Sequence, residues 1–249
     1  MRVAGNSAQP RVSVTSKVLG VLGAFDEEHR SLTLTGLAHR AGLPLATAHR
    51  LVAELTAAGA LVRQGTGEYV VGRRMWDLGL LAPVETGLRH VASPFLYDLY
   101  GATLATVHLA VRDGSAALYV ERVAGHSSVP VVSQVGSRLP LHATGVGKVL
   151  LAYAPEEVRA SVLGALTRIT AYTVTQPGRL SEQLRRVRAD GYATTSEEMS
   201  LGACSVAVPV RPAGGEVVAA IGFVVANLRQ RGRLVSALEV AARGIARSL

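Results

Sequence analysis

The sequence predicts an α+β protein built in two parts, and three observations carry that prediction. Apolar residues recur every three to four positions over the first hundred residues and then, from about residue 103, every second position, so helical material gives way to strands. Glycine-containing turns punctuate both halves where hairpins and helix ends need them. The length of 249 residues allows two domains, each with its own core.

Residues 1–13 are polar and read as a flexible segment. Val14, Val18, Leu19, Val21, Leu22 and Phe25 then mark a helix, and "RSLT" a short extended piece. Leu34, Leu37, Ala38 and Ala41 give a second helix, with Thr33 or Thr35 to cap it and Gly42 to end it in a left-handed turn. Pro44 falls where the first helical position of the next helix is expected, since its fixed φ suits a helix and its missing donor is not needed there. The runs "ALVRQ" and "EYVVG" around "GTG" form a hairpin. Helix, helix, turn, helix, hairpin is the order of a winged helix-turn-helix, here over 14–74. Residues 75–102 read as a helical connector broken near Pro83.

The second domain, 103–249, opens with two strands about the Asp113-Gly114 turn. It continues through "VPVVSQVG", a loop and helix at "HATGVGKVLLAYAP", and helices near 155–165 and 180–190. Strands at 191–196, 204–211 and 217–226 and a last helix from about 232 complete it. Helices mixed around an antiparallel sheet make it α+β.

Composition narrows the function. Hydrophobic residues are 49% and charged ones 18%, which is globular rather than disordered material. The net charge is +8, and Lys17 and Lys148 are the only lysines among 26 basic residues. Arginine's planar fork suits phosphate, although a GC-rich genome gives the same bias. A single cysteine, Cys204, excludes an internal disulfide framework and a cysteine zinc cluster, and fits a reducing cytoplasm. No apolar run is long enough for a signal peptide or membrane span, so neither export nor insertion is expected. The seven histidines include no close helical pair, so no metal site and no cofactor are expected.

On the helix that follows Gly42, Ala48, Leu51, Val52 and Leu55 share the stripe that faces a core. Ala46, Arg50 and Ala53 occupy the opposite side, with Thr47, His49 and Glu54 at its edges. Small residues around one arginine let a helix approach a major groove closely. Arg50, His49 and Thr47 can then bond phosphate or base edges. The same residues on an isolated helix would be an ordinary solvated face; the preceding helix, the turn and a hairpin carrying Arg63 favour double-stranded DNA.

The segments "SKVLGVLGAF…LTLTGLAHRAGLPLATAHRLVAELTAAGALVR…GEYVVGRRMWDLG" resemble the winged helix of the IclR family of bacterial transcriptional regulators. "LPLHATGVGKVLLAYAPEE" and "GYATTSEEMSLGACSVAVPV" resemble that family's effector domain, in the right order over residues 14–249. The resemblance implies a ligand-responsive regulator, more often a repressor, that binds a palindromic operator as a homodimer or dimer of dimers. It also implies a GAF-like C-terminal domain that takes a small-molecule effector. It carries the DNA contacts to Thr47, His49, Arg50 and Arg63. Leu45 and Ala46 stand where a polar pair is usual, and Glu68 and Val70 where the wing is often basic; Arg73 and Arg74 either compensate or are solvated helix residues.

For the effector, the loop "HATGVGK" allows amides at Thr144, Gly145, Val146, Gly147 and Lys148 to hold a carboxylate, or the glycines simply make a tight strand-to-helix turn. The family's pattern places Thr195, Ser205, Gly222 and Val224 in the pocket, with Cys204 one place off the position where a cysteine is common, and strand alternation adds Ala207. Alternation puts Ser205 and Ala207 on one strand face and Cys204 and Val206 on the other. Loss of polar pocket residues points to a fairly apolar organic acid. Two other classes compete. Ser205, Cys204, His108 and His142 could serve an enzyme, but no nucleophile elbow, phosphate loop or acid pair accompanies them. A non-specific architectural nucleic-acid binder would need only the basic charge.

Overall fold

The computed structural model describes residues 12–26, 28–79, 81, 86–126 and 128–249. The flexible segment expected over 1–13 and the break expected at Pro83 fall almost wholly outside them. Packing divides the chain into two units, 1–84 and 85–249.

In the first unit α1 (Val14–Leu22), α2 (Leu34–Arg40) and α3 (Leu45–Ala57) surround a core of Val21, Leu37, Leu51, Val52 and Leu61. Three short antiparallel strands, β1 (Ser31–Leu32), β2 (Leu61–Arg63) and β3 (Tyr69–Val71), pair in the order β1-β3-β2. Thr33 caps α2, its hydroxyl accepting from the Gly36 amide at 3.1 Å. Gly42 has φ +63°, the left-handed value that sharply turns the chain between α2 and α3. Pro44 is one place earlier than expected: with ψ 142° it is still extended and serves as the N-cap, and α3 starts at Leu45. The wing closes on Gly67, with Glu68 drawn back to accept a bond from the Ser31 hydroxyl at 2.8 Å.

Residues expected to form a helical connector are divided between the two units. The helix α4 (Arg73–Gly79) belongs to the first unit and buries none of its residues, while α5 (Thr86–Thr103) belongs to the second. Leu88, Ala92, Leu96 and Leu99 of α5 are buried, because their spacing makes a full core stripe that the sheet can cover.

The second unit is a six-stranded, fully antiparallel sheet in the order β6-β5-β4-β9-β8-β7. Its strands are β4 (Thr106–Asp113), β5 (Ala116–Val123), β6 (Arg138–Pro140), β7 (Ala193–Ser196), β8 (Cys204–Val210) and β9 (Ala219–Val225). Its remaining helices are α6 (Gly145–Ala152), α7 (Glu156–Gly164), α8 (Pro177–Asp190) and α9 (Arg231–Arg247). Alternation sends Val206, Val208 and Val210 of β8 toward α5 and α9, and Ala207 toward α6. Helices on both faces of an antiparallel sheet give the α+β, GAF-like domain that the sequence predicts.

Candidate DNA-reading helix and effector pocket

The face of α3 predicted to meet DNA is free. Ala48, Leu51 and Val52 are buried in the unit's core, whereas Leu45, Ala46, His49 and Arg50 are exposed and Thr47 is half-buried. Leu45 is 52% exposed. No acidic residue occupies the first turn of α3, so its open amides and the positive end of the helix face outward uncompensated. Arg63 is exposed on β2, its guanidinium 6.0 Å from the Tyr69 ring. Of the two arginines after the wing, Arg74 donates to the Ala58 carbonyl at the end of α3 (3.1 Å), which gives it a structural task. Arg73 lies in an exposed pair with Asp77 at 3.7 Å.

In the second unit one cavity opens between the sheet and α6. It joins residues far apart in sequence: Thr144, Gly145 and Val146 at the start of α6, Thr195 on β7, Ser205 and Ala207 on β8, and Gly222 and Val224 on β9. Eight of the nine residues expected to hold an effector thus meet around one space.

The ninth, Gly147, is a correction. Its amide donates to the Thr144 hydroxyl at 3.1 Å, and a side chain there would sit 2.6 Å from the Leu141 carbonyl, so this glycine serves packing and the α6 cap. The Lys148 amide is likewise consumed by the Thr144 carbonyl at 2.8 Å. What the loop leaves for an anion is therefore Gly145 and Val146. The turn reading accounts for Gly147 and Lys148, and the amides of Gly145 and Val146 are left for the other.

Lys148 itself turns away from the cavity and is 1% exposed. Its ammonium donates to Glu198 Oε1 at 2.6 Å and to Gln183 Oε1 at 2.8 Å. Burial lowers its pKa, opposed by the Glu198 charge. The carbonyl of Glu198 accepts from Thr173 at 2.8 Å, and that of Glu197 from Thr170 at 2.6 Å. Glu197 has φ +56°, rare for a residue with a side chain, and its carboxylate accepts from the Gly202 amide at 2.9 Å. The segment so pinned carries Met199, Ser200 and Ala203 across the cavity.

Other lining residues were not expected in the effector pocket. His108 of β4 shares a 2.8 Å hydrogen bond with Ser133, and its ring meets the edge of Tyr119 at 4.9 Å and 89°. Burial, then the nearby Arg122 charge, pushes the His108 pKa down to about 3, so the imidazole is neutral. Burial pushes the Tyr119 phenol up to about 12, so it too is neutral. Val131, Val132 and Leu139 add apolar wall. Cys204, set one place off the family's position, also reaches the cavity. Thr195 and Ser205 satisfy each other's hydroxyls at 2.5 Å. No lysine or arginine lines the cavity among the described residues. The signal that could have found His108 is its period-two placement with Thr106 and Ala110 on one strand face.

Comparison with known proteins agrees with this division. Residues 14–65 match the IclR helix-turn-helix domain, and 82–249 match the domain described as bacterial transcriptional regulator IclR C-terminal. The transcriptional regulator KdgR of Dickeya chrysanthemi is 30% identical over 98% of this chain and 83% of its own length. The regulator XynR of Escherichia coli K12 is 32% identical over 86% of each. Among solved structures, an IclR homolog from Microbacterium hydrocarbonoxydans complexed with 4-hydroxybenzoate is 34% identical with a TM-score of 0.89, over 95% of this chain and 99% of that one. Among the described residues no helix is long and apolar enough to cross a membrane. The chain belongs to the IclR family of bacterial transcriptional regulators, DNA-binding proteins rather than enzymes.

Proposed function

We propose that the chain is a cytoplasmic, ligand-responsive repressor that binds a palindromic operator through α3 and changes its DNA affinity when a fairly apolar organic acid enters the cavity of the second unit. The observation that carries the effector half is the composition of that cavity: apolar walls, no lining cation, and the Gly145 and Val146 amides left open at the start of α6. Two amides at a helix N-terminus can hold one carboxylate, and the remaining surface rewards an apolar body. Gly222 and Val224 offer no side-chain hydrogen bonds, so a very small, polar keto acid would leave its groups unpaired there. The 4-hydroxybenzoate held by the Microbacterium relative is an acid of the expected kind.

On the DNA side, Thr47, His49 and Arg50 supply base and phosphate contacts, Arg63 a wing contact, and Leu45 and Ala46 contribute through backbone amides and close approach. Pairing of two such helices requires self-association. Trp76, 67% exposed, and Leu78 on α4 leave an apolar surface suited to a second copy, with a dimer of dimers as the larger assembly. Effector and DNA are then linked through a shared equilibrium, and each changes the other's affinity by the same factor.

Footprinting on DNA flanking the coding region, repeated with added acids, tests the whole reading. A discrete protected palindrome that weakens with one acid is expected; diffuse protection indifferent to acids would indicate an architectural binder. Arg50→Ala should weaken operator binding by about tenfold to a hundredfold, the worth of about 1–3 kcal/mol for a good base contact, and unchanged affinity would remove Arg50 from the interface.

A further inference from the structure

Between α8, the edge strand β7 and the start of α9 lies a second cleft, which shares no residue with the effector cavity. Arg186 and Asp190 of α8, Tyr192 and Thr194 at β7, and Arg231 at the first position of α9 line it, and the buried Lys148 of α6 forms its floor. The sequence makes this corner basic. α8 carries four arginines against two acids, and the run "LRQRGRL" over 228–234 adds three arginines and no acid.

Neighbouring carboxylates leave the cations of the cleft with donors to spare. Glu182 is shared by Arg185 and Arg186, and Arg186 gives it only Nε, at 3.0 Å, so its two Nη groups have no acceptor among the described residues. Arg231 lies over the Tyr192 ring at 5.7 Å and has no ion pair among the described residues. Lys148 gives two of its three ammonium hydrogens to Gln183 and Glu198. The start of α9 adds to this excess. A helix N-terminus favours negative charge, yet this one has no acid in its first turn, no side-chain cap from Gln230, and arginines at 231 and 233. Like charges gathered at that end repel one another until an anion lies among them.

We propose that this cleft is a second small-molecule site, for a sugar or polyol phosphate, with the phosphate between Arg186 and Arg231 over the Lys148 charge and hydroxyl groups at Asp190 and Thr194. Guanidinium forks match phosphate oxygens in pairs, and two forks over a buried ammonium suit a dianion better than a single carboxylate does. Asp190 sets the rest of the ligand. Its carboxylate is exposed, has no partner among the described residues and only accepts, so it repels a second anionic group and rewards a hydroxyl that donates. The Thr194 hydroxyl on the adjoining strand can donate or accept beside it.

The test is calorimetric titration of the full chain, without DNA, using glucose 6-phosphate, glycerol 3-phosphate, inorganic phosphate and glucose. At least one ester should bind about tenfold more tightly than inorganic phosphate, since only an ester engages Asp190 and Thr194, and glucose should be silent. Arg186→Gln and Arg231→Gln, both at exposed positions, should each weaken that ester by about tenfold, the worth of one charge-assisted hydrogen bond. Arg50→Ala, on the DNA-reading helix, should leave it unchanged. Failure of both esters to bind, affinity no better than that of inorganic phosphate, or binding that survives both arginine substitutions overturns the site. Binding lost in Arg50→Ala and kept in Arg231→Gln would assign the phosphate to the first unit and overturns it equally. Since the titration uses neither operator nor organic acid, its failure leaves the DNA and effector readings standing.

Discussion

Lowering the pH should destabilise the second unit through one identified side chain. In the fold, burial and the Arg122 charge hold His108 at about 3, against an ordinary histidine value near 6.5 in the unfolded chain. Between those values the unfolded chain binds a proton that the fold refuses, so stability falls as pH drops below about 6.5 and stops falling only near 3. Taking the unfolded group as almost fully protonated at pH 5, the loss between pH 8 and pH 5 is about 2 kcal/mol. With a urea dependence of about 2 kcal/mol per molar, that moves the unfolding midpoint by about 1 M. His108→Gln removes the titration but keeps an amide able to bond Ser133, and its midpoint should fall by about 1 M less over the same pH range. Far-UV circular dichroism is the suitable probe, since the lone tryptophan, Trp76, lies in the other unit. Subtracting variant from parent cancels the other histidines. Equal pH dependence in the two proteins, or a His108 ring resonance that titrates near pH 6.5 in the native chain, would refute the buried neutral imidazole.

Two further substitutions probe the scaffold. Gly42→Ala meets no neighbouring atom but must hold φ +63°, so the cost is backbone strain of about 1–2 kcal/mol, read as a fall of several degrees in the melting of the first unit. Lys148→Met leaves the Glu198 carboxylate buried without its cation and should cost about 3–5 kcal/mol, on the order of 10 °C in the melting of the second unit. The double change Lys148→Met with Glu198→Leu should recover most of that loss; additive losses would show that the two charges do not act as a pair.

Much of this architecture is legible in the sequence because its signals are local. The stripe of Ala48, Leu51 and Val52, the Gly42 turn and the Asp113-Gly114 hairpin each follow from residues within one turn or two strands of each other. The effector residues came from matching positions to a family pattern, and the cavity gathers them. What stayed hidden depends on long-range register. His108 meets Ser133 only because a loop folds back over β4, and Lys148 meets Glu198 across 50 residues. Amphipathic spacing in α5 marks a buried face without saying what covers it, and the sheet of the second unit does so. Gly147 shows the opposite error: a glycine in an anion-binding motif whose amide the Thr144 cap has already taken.

The burial of Lys148 also decides how the molecule can be handled chemically. With only two lysines in the chain and one of them sealed beside Glu198, Lys17 on α1 is the sole lysine amine that a reagent in solution can meet. Amine coupling to a sensor surface through a lysine side chain would therefore tether the protein by its DNA-reading unit, while acylating or cross-linking reagents would report on that unit and remain silent about the other.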